Sequence, residues 1–188
     1  MLKVLTNTDY AVMPWKNGLG TTTQIEINPL GSTFPKDDFL WRVSSATVRT
    51  SNPFSKFPGY DRLLAVWQGC GLRLNGKNLT PSNVVRFSGE EFIQGDLIDG
   101  EVLDLGVIFH RDFIQAEMTY ASTLAGQSLE LYLNHDVHFI FCAQGSFCTE
   151  GHTVNEGECL RVEKLKFISV SAAQTLDLKI YLIQLSRR

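Results

Sequence analysis

The chain has 188 residues, 44% hydrophobic and 20% charged, which is typical of one globular domain or two small fused repeats. A formal charge of -3 without a basic run argues against nucleic acid as a partner. The sequence shows no secretory signal, no bilayer-length apolar run and no CxxC pair among its four cysteines, so we expect a cytoplasmic protein with reduced thiols and no membrane partner.

Short β-rich segments bounded by Gly, Asn, Pro or Ser recur along the chain, whereas helical periodicity is weak. Strands are predicted at residues 22–27, 40–48, 62–67, 72–74, 84–87, 102–109, 129–133, 137–142, 159–162, 167–170 and 178–185. Their spacing favours an all-β sandwich or barrel over alternating βαβ units.

A weak internal repeat lies on this pattern. The segment LLAVWQG at residues 63–69 resembles FIFCAQG at residues 139–145, and each copy is followed by a short strand, a glycine turn and another strand. This order of strands and turns is typical of a cupin half. We therefore predict a bicupin of two jelly-roll halves, at residues 1–115 and 116–188. A simple antiparallel meander punctuated by glycines is the alternative.

The histidines do not fit the metal site that most cupins carry. Those at 110, 135, 138 and 152 form no His-x-His pair, which a strand needs to aim two imidazoles to one side. Counting back from Gly69 places Arg62 where a cupin has its glutamate, and Arg86 falls near the second motif's histidine. Guanidinium groups match a carboxylate, so we predict an anion site without metal or cofactor. Alternatively, each arginine lies on a rim and pairs with an acid such as Asp61 or Glu90.

Three clusters in the first third of the chain are more specific than the repeat. They read PWKNGLGTT at residues 14–22, WRVSSA at 41–46 and PFSKFPGYDR at 53–62. In this order they resemble the HutD/Ves family, whose members carry a PWKNGGGxT-like opening, a WRVSxA strand and an FSxFPGxxR segment. The resemblance continues more weakly through FSGE at 87–90 and DLGV at 104–107, and Leu19 replaces the middle glycine of the family's triplet. It implies a bicupin fold, a link in some bacteria to histidine utilisation, and binding of formylglutamate-like anions.

The resemblance and the strand pattern together define a predicted ligand-binding set. It comprises Trp15, Lys16, Asn17, Arg42, Ser44, Ser55, Arg62 and Arg86. Arg42 and Ser44 fall on one face of a predicted strand, and Trp15 precedes a glycine-containing loop that can cover the mouth of a barrel. For the strand, an ordinary solvent-facing side is the alternative, and Trp15 can also pack on the core.

Two functions are compatible with this set. The first is a metal-free binding protein for a small carboxylate such as N-formylglutamate, with a regulatory role in histidine utilisation and no catalytic residues. The alternative is a metal-independent isomerase or epimerase that acts on a small acidic metabolite through a Lys, His or Tyr base. The first is favoured because no motif of nucleophilic or phosphate chemistry is present. The sequence is also compatible with a homodimer.

Overall fold

The computed structural model describes residues 1–15 and 20–188 of the chain, and these residues contain strands, turns and bends but no α-helix. The prediction of an all-β protein is confirmed. Within the described residues there is accordingly no helix long and apolar enough to cross a membrane. The described residues form two compact units.

The strands follow one another in chain order. The first ten are β1 (Leu2–Leu5), β2 (Ala11–Pro14), β3 (Gly20–Asn28), β4 (Trp41–Val48), β5 (Asn52–Pro53), β6 (Tyr60–Gln68), β7 (Leu72–Leu74), β8 (Lys77–Leu79), β9 (Val84–Ser88) and β10 (Gln94–Leu97). They continue with β11 (Val102–His110), β12 (Ile114–Thr123), β13 (Ser128–Tyr132), β14 (Val137–Gln144), β15 (Ser146–Thr149), β16 (His152–Asn155), β17 (Cys159–Glu163), β18 (Phe167–Ala172) and β19 (Leu178–Arg187).

The N-terminal unit comprises Tyr10–Ile114 together with Arg188. It contains a six-stranded sheet in the order β2-β3-β4-β11-β6-β9 and a four-stranded sheet in the order β5-β10-β7-β8. Apolar side chains from both sheets, such as Leu64 and Val66 of β6 and Leu72 of β7, pack into one core. The centre of the larger sheet, β4-β11-β6, carries the candidate site described below.

The C-terminal unit comprises Met1–Asp9 and Gln115–Arg187. Its sheets have the orders β1-β17-β14-β19-β12 and β13-β18-β15-β16. The alternation of β18 buries Ile168, Val170 and Ala172 and leaves the residues between them exposed, which is the pattern expected of a strand with one face on a core. The first strand, β1, pairs with β17, far along the chain.

The sequence repeat corresponds to two similar hairpins. The turn between β7 and β8 has positive φ at Asn75 (46°) and Gly76 (84°), and that between β15 and β16 has positive φ at Glu150 (46°) and Gly151 (77°). A two-residue type I′ turn, whose twist matches that of the flanking strands, requires positive φ at both of its central residues. Glycine adopts positive φ without steric cost.

All eleven predicted strands are present, with ends that differ by at most two residues from those predicted. The strands that the sequence pattern missed are β1, β2, β5, β8, β10, β12, β15 and β16. Most are only two to four residues long, too short for alternation to stand out. The exception is β12, whose buried Ile114, Ala116 and Met118 alternate regularly with exposed residues.

Candidate functional site

A cavity of about 540 Å³ lies in the N-terminal unit. Its floor is formed by residues on the same side of three neighbouring strands. These are Arg42, Ser44, Ala46 and Val48 of β4, Asp104, Gly106 and Ile108 of β11, and Arg62 and Leu64 of β6. The volume lies within the roughly 300–1,000 Å³ range of small-molecule sites.

The register of these strands brings two arginines to one place. Ile108 of β11 is paired with Arg42 on β4 and with Arg62 on β6. Strands lie about 4.8 Å apart, so the two arginine Cα atoms are separated by roughly 10 Å across the sheet, a distance that two long side chains can bridge together. The strand pairing therefore creates a cationic end of the cavity.

Arg42 is almost completely buried, with only 3% of its surface exposed. Its Nε donates to Gln24 Oε1 (2.8 Å), and its Cζ lies 3.9 Å from the ring centroid of Phe34. Its Nη2 is buried and has no hydrogen-bond partner among the described residues. Burial, reinforced by the charge of Arg62, lowers the pKa of Arg42 to about 10, which still leaves the side chain protonated at neutral pH. The solvent-facing alternative for this strand face is excluded.

Arg62 has an aromatic environment. Its Cζ lies 4.9 Å from the ring centroid of Phe54, 5.2 Å from that of Phe87 and 5.7 Å from that of Phe57. Its Nη1 donates a long hydrogen bond (3.4 Å) to the backbone oxygen of Ser55. Burial lowers the pKa of Arg62 to about 10, while the charge of Asp104 opposes that shift. The rings position the guanidinium and leave most of its donors unused by the described residues.

Asp104 is the one carboxyl group on the described floor of the cavity, and the sequence did not identify it as a site residue. It is 7% exposed, and its Oδ1 accepts a hydrogen bond from the backbone N–H of Ala46 (2.9 Å). Burial raises the pKa of Asp104 to about 6, against the opposing effects of that hydrogen bond, Arg62 and Arg42. Two guanidinium groups face a single carboxyl, so the described floor carries an excess of positive charge.

The other predicted residues that line the cavity lie on its floor and its wall. Ser44 lies beside Gly106, and Ser55 lies near Arg62. Trp15 lines the cavity, donates from Nε1 to Thr22 Oγ1 (2.8 Å), and packs against the apolar core of the unit. Trp15 is therefore both a lining residue of the cavity and a residue packed against the core. Lys16 and Asn17 lie outside the described residues.

The prediction that Arg86 faces the cavity is wrong. Arg62 is paired with Phe87, and Arg86 with Leu63, so Arg86 projects from the opposite face of the sheet. Its Nη2 lies 2.7 Å from Asp61 Oδ2, with 47% of its side chain exposed. Arg86 therefore pairs with a surface acid, as in the alternative interpretation given above. The motif spacing indicated its position along the chain but not the face of the strand from which its side chain projects.

Asp104, Gly106 and Ile108 share the cavity face of β11, and Phe34 covers Arg42 from a loop. A signal for the first two was present, since DLGV at residues 104–107 lies on a predicted strand and resembles the family pattern. No local signal indicated Phe34, whose contact with Arg42 depends on the path of the loop.

His138 of the C-terminal unit has structural partners. His138 is fully buried, its Nε2 accepts from the backbone N–H of His135 (3.2 Å), and its Nδ1 lies 3.3 Å from the carbonyl oxygen of Val162. Burial lowers the pKa of His138. Within residues 1–15 and 20–188, no group of three or more His, Cys, Asp or Glu side chains is arranged to hold a metal ion.

Comparison with known sequences identifies a family and several relatives of this chain. The HutD family model matches residues 7–180. An uncharacterized 21.2 kDa protein in the hutC 3' region of Pseudomonas putida is 38% identical over 113 residues, which are 57% of this chain and 58% of that protein. Protein Ves of Citrobacter koseri is 30% identical over 113 residues, 57% of each chain. The matched region thus spans less than two thirds of these relatives.

Solved structures extend the similarity over the whole chain. A conserved protein of unknown function from Pseudomonas aeruginosa PAO1 has a TM-score of 0.83 at 27% identity and covers 99% of both chains. HutD from Pseudomonas fluorescens SBW25 has a TM-score of 0.82 at 28% identity over 100% of both chains. A nickel(II)-bound pirin from Escherichia coli, at 10% identity and a TM-score of 0.67, shares the fold alone, and the predicted cupin-type fold is confirmed. Since the family model matches nearly the full length, the chain belongs to the HutD family.

Proposed function

We propose that the cavity of the N-terminal unit binds a small carboxylate such as N-formylglutamate. In this proposal the protein acts as a binding protein in the regulation of histidine utilisation. The observation that carries this proposal is the pair of arginines on either side of Ile108, one of which has a buried Nη2 without a partner among the described residues. A buried guanidinium with unused donors is stabilised when an anion supplies the missing acceptor.

The balance of charge favours an anionic ligand over a neutral one. Arg42 and Arg62 remain protonated at neutral pH, and Asp104 is the carboxyl opposite them on the described floor. A ligand with one or two carboxylates brings the floor to neutrality or close to it. Guanidinium also matches a carboxylate through two parallel hydrogen bonds, which an ammonium group cannot form.

The link to histidine utilisation rests on relatives. One lies in the hutC 3' region of Pseudomonas putida, and HutD of Pseudomonas fluorescens shares the fold over the whole chain. Binding without turnover is favoured over an isomerase or epimerase because the described part of the cavity contains no Lys, His or Tyr, and its one carboxyl group, Asp104, is held by the backbone N–H of Ala46 and faces no second acid–base group there.

Isothermal calorimetry with N-formylglutamate tests the proposal. Hydrogen bonds to charged groups contribute about 1.5–3 kcal/mol each, so Arg62→Ala is expected to weaken binding about tenfold to a hundredfold, and Arg62→Lys to restore it only in part. Arg86→Ala is the matched control, since it removes an arginine from the same sheet on the opposite face. The comparison uses variants with unchanged melting temperatures.

Two results would contradict the proposal. Binding by Arg62→Ala that is as tight as in the parent protein would place the anion site elsewhere. NMR of the ligand after prolonged incubation is expected to show no change in its chemical structure. Conversion at a rate that depends on protein concentration would support the enzymatic alternative instead.

A further inference from the structure

The floor of the cavity has two chemically different ends. Along β11, Ile108 lies between the two arginines, whereas Asp104 is paired with Ala46 and Val66. The two positions are four steps apart along the strand, which corresponds to roughly 13 Å of backbone. The long arginine side chains shorten this separation for their charged groups, and both act electrostatically on Asp104.

Between the two ends the floor is open. Gly106 is paired with Ser44 and Leu64, and it presents no side chain to the cavity. A Cβ atom built there has Leu64 Cδ1 at 3.8 Å as its nearest neighbour, an ordinary contact distance. Space therefore exists above Gly106 for a ligand that extends from the arginines towards Asp104.

Asp104 is held rigidly, with one oxygen unused. Its Oδ1 accepts from the Ala46 N–H, and its backbone oxygen accepts from Ser45 Oγ (2.6 Å) and Trp67 Nε1 (3.1 Å). No described residue donates a hydrogen bond to Oδ2. Among the described residues, Oδ2 does not belong to the fully buried side-chain atoms without a partner, so it is accessible from the cavity and can accept a hydrogen bond from a ligand.

We propose that Asp104 determines the specificity of the cavity by accepting a hydrogen bond, at Oδ2, from an N–H group of a ligand whose carboxylate is held by Arg42 and Arg62. The ligand class is then a small carboxylic acid with an acylated or free amino group, and plain dicarboxylates are disfavoured. This inference rests on the proposed anion-binding function and adds a second recognition point to it.

The charge of Asp104 explains the discrimination. A dicarboxylate that reaches across Gly106 brings a second negative group towards a carboxylate, which is repulsive in a buried site. An N–H at the same position forms a charge-assisted hydrogen bond instead. Sites with a buried polar group reject analogues that leave this group unpaired.

The experiment compares three ligands that share a five-carbon skeleton: glutarate, which has no N–H, glutamate, which has an ammonium group, and N-formylglutamate, which has an amide. Calorimetry is run on the parent protein, on Asp104→Asn and on Asp99→Asn, an exposed acid-to-amide control outside the cavity. The asparagine keeps an oxygen for the Ala46 N–H and replaces Oδ2 with a donor.

The parent protein is expected to bind at least one of the two N–H ligands about tenfold or more tightly than glutarate. Whichever of the two binds more tightly identifies the amino group as acylated or free. In Asp104→Asn the ratio is expected to fall to about one, largely through gain of affinity for glutarate, and Asp99→Asn is expected to retain the parent ratio.

The outcomes separate the two proposals. The role of Asp104 is overturned if all three ligands bind equally to the parent protein, or if Asp104→Asn keeps the parent ratio. In either case the anion site stands as long as Arg62→Ala weakens binding. If the parent protein binds none of the three ligands, both proposals are overturned. Circular dichroism and melting temperature establish that each variant is folded.

Discussion

Arg42 and Arg62 are positioned by the same residue, Ile108, which is the register partner of both on opposite sides of β11. Both side chains project to the cavity, and the charge of Arg62 helps to lower the pKa of Arg42. Two like charges held together in a buried site reduce stability unless an anion joins them.

Replacement of Arg42 by methionine is expected to abolish ligand binding without loss of stability in the ligand-free protein. The buried Nη2 lacks a partner among the described residues, and an apolar side chain of similar length removes the repulsion with Arg62. Loss of the hydrogen bond from Arg42 Nε to Gln24 costs about 0.5–1.5 kcal/mol, and relief of the repulsion with Arg62 offsets this cost, so the free energy of unfolding should change by about 1 kcal/mol or less. Urea denaturation with and without N-formylglutamate measures both effects. Strong destabilisation of the ligand-free variant would show that Arg42 is a structural residue.

Substitution of Gly106 is expected to block the cavity while the sheet is retained. A Cβ at this position meets only ordinary contacts, so the branched side chain of Gly106→Val extends into the space between Ser44 and Leu64. Valine is also favoured over glycine in a strand. We expect a loss of affinity of about tenfold or more, a melting temperature at or above that of the parent, and a smaller effect for Gly106→Ala. Unchanged affinity in Gly106→Val would show that the ligand does not cross this part of the floor.

The affinities for glutarate and for an N–H ligand are expected to respond differently to pH. The pKa of Asp104 is raised to about 6, chiefly by burial, with Arg62 of β6 and Arg42 of β4 as the charged groups that oppose the shift. As the pH falls from 7 to 5, Asp104 gains a proton and a negative charge leaves the floor. Glutarate affinity should therefore rise, while the advantage of an N–H ligand over glutarate should shrink.

Calorimetry at pH 5, 6 and 7 measures this dependence, and Asp104→Asn should show neither trend. Glutarate is largely doubly ionised at pH 6 and 7, and at pH 5, where its second carboxyl group takes up a proton, the profile of Asp104→Asn with the same ligand is subtracted to remove this contribution. Identical pH profiles in the parent protein and in Asp104→Asn would assign the titration to another group.

His138 is expected to affect stability and not ligand binding. It is fully buried in the C-terminal unit between the backbone N–H of His135 and the carbonyl oxygen of Val162. In His138→Gln the loss of one or both hydrogen bonds should lower the free energy of unfolding by about 1–3 kcal/mol. Thermal unfolding and calorimetry with N-formylglutamate measure the two quantities. A large fall in affinity at unchanged stability would indicate a ligand site in the C-terminal unit.

The sequence by itself determined the fold class, most of the longer strands and the family. Alternation with a period of two identifies a strand locally, and it showed that Arg42 and Ser44 share a face. The motif clusters at residues 14–22, 41–46 and 53–62 were specific enough for the family to be recognised. Each of these signals lies within a short stretch of chain, where the covalent sequence fixes which residues are neighbours.

Only the tertiary structure decided which faces are inside and which residues meet. The pairing of Ile108 with both arginines, the position of Asp104 and the outward direction of Arg86 depend on the register between strands that are distant in sequence. A shift of one residue in that register would reverse every side chain of a strand, and no local pattern specifies it. The pairing of β1 with β17 is likewise decided by the tertiary structure, because β1 packs its apolar side chains against a core that only the assembled sheet provides.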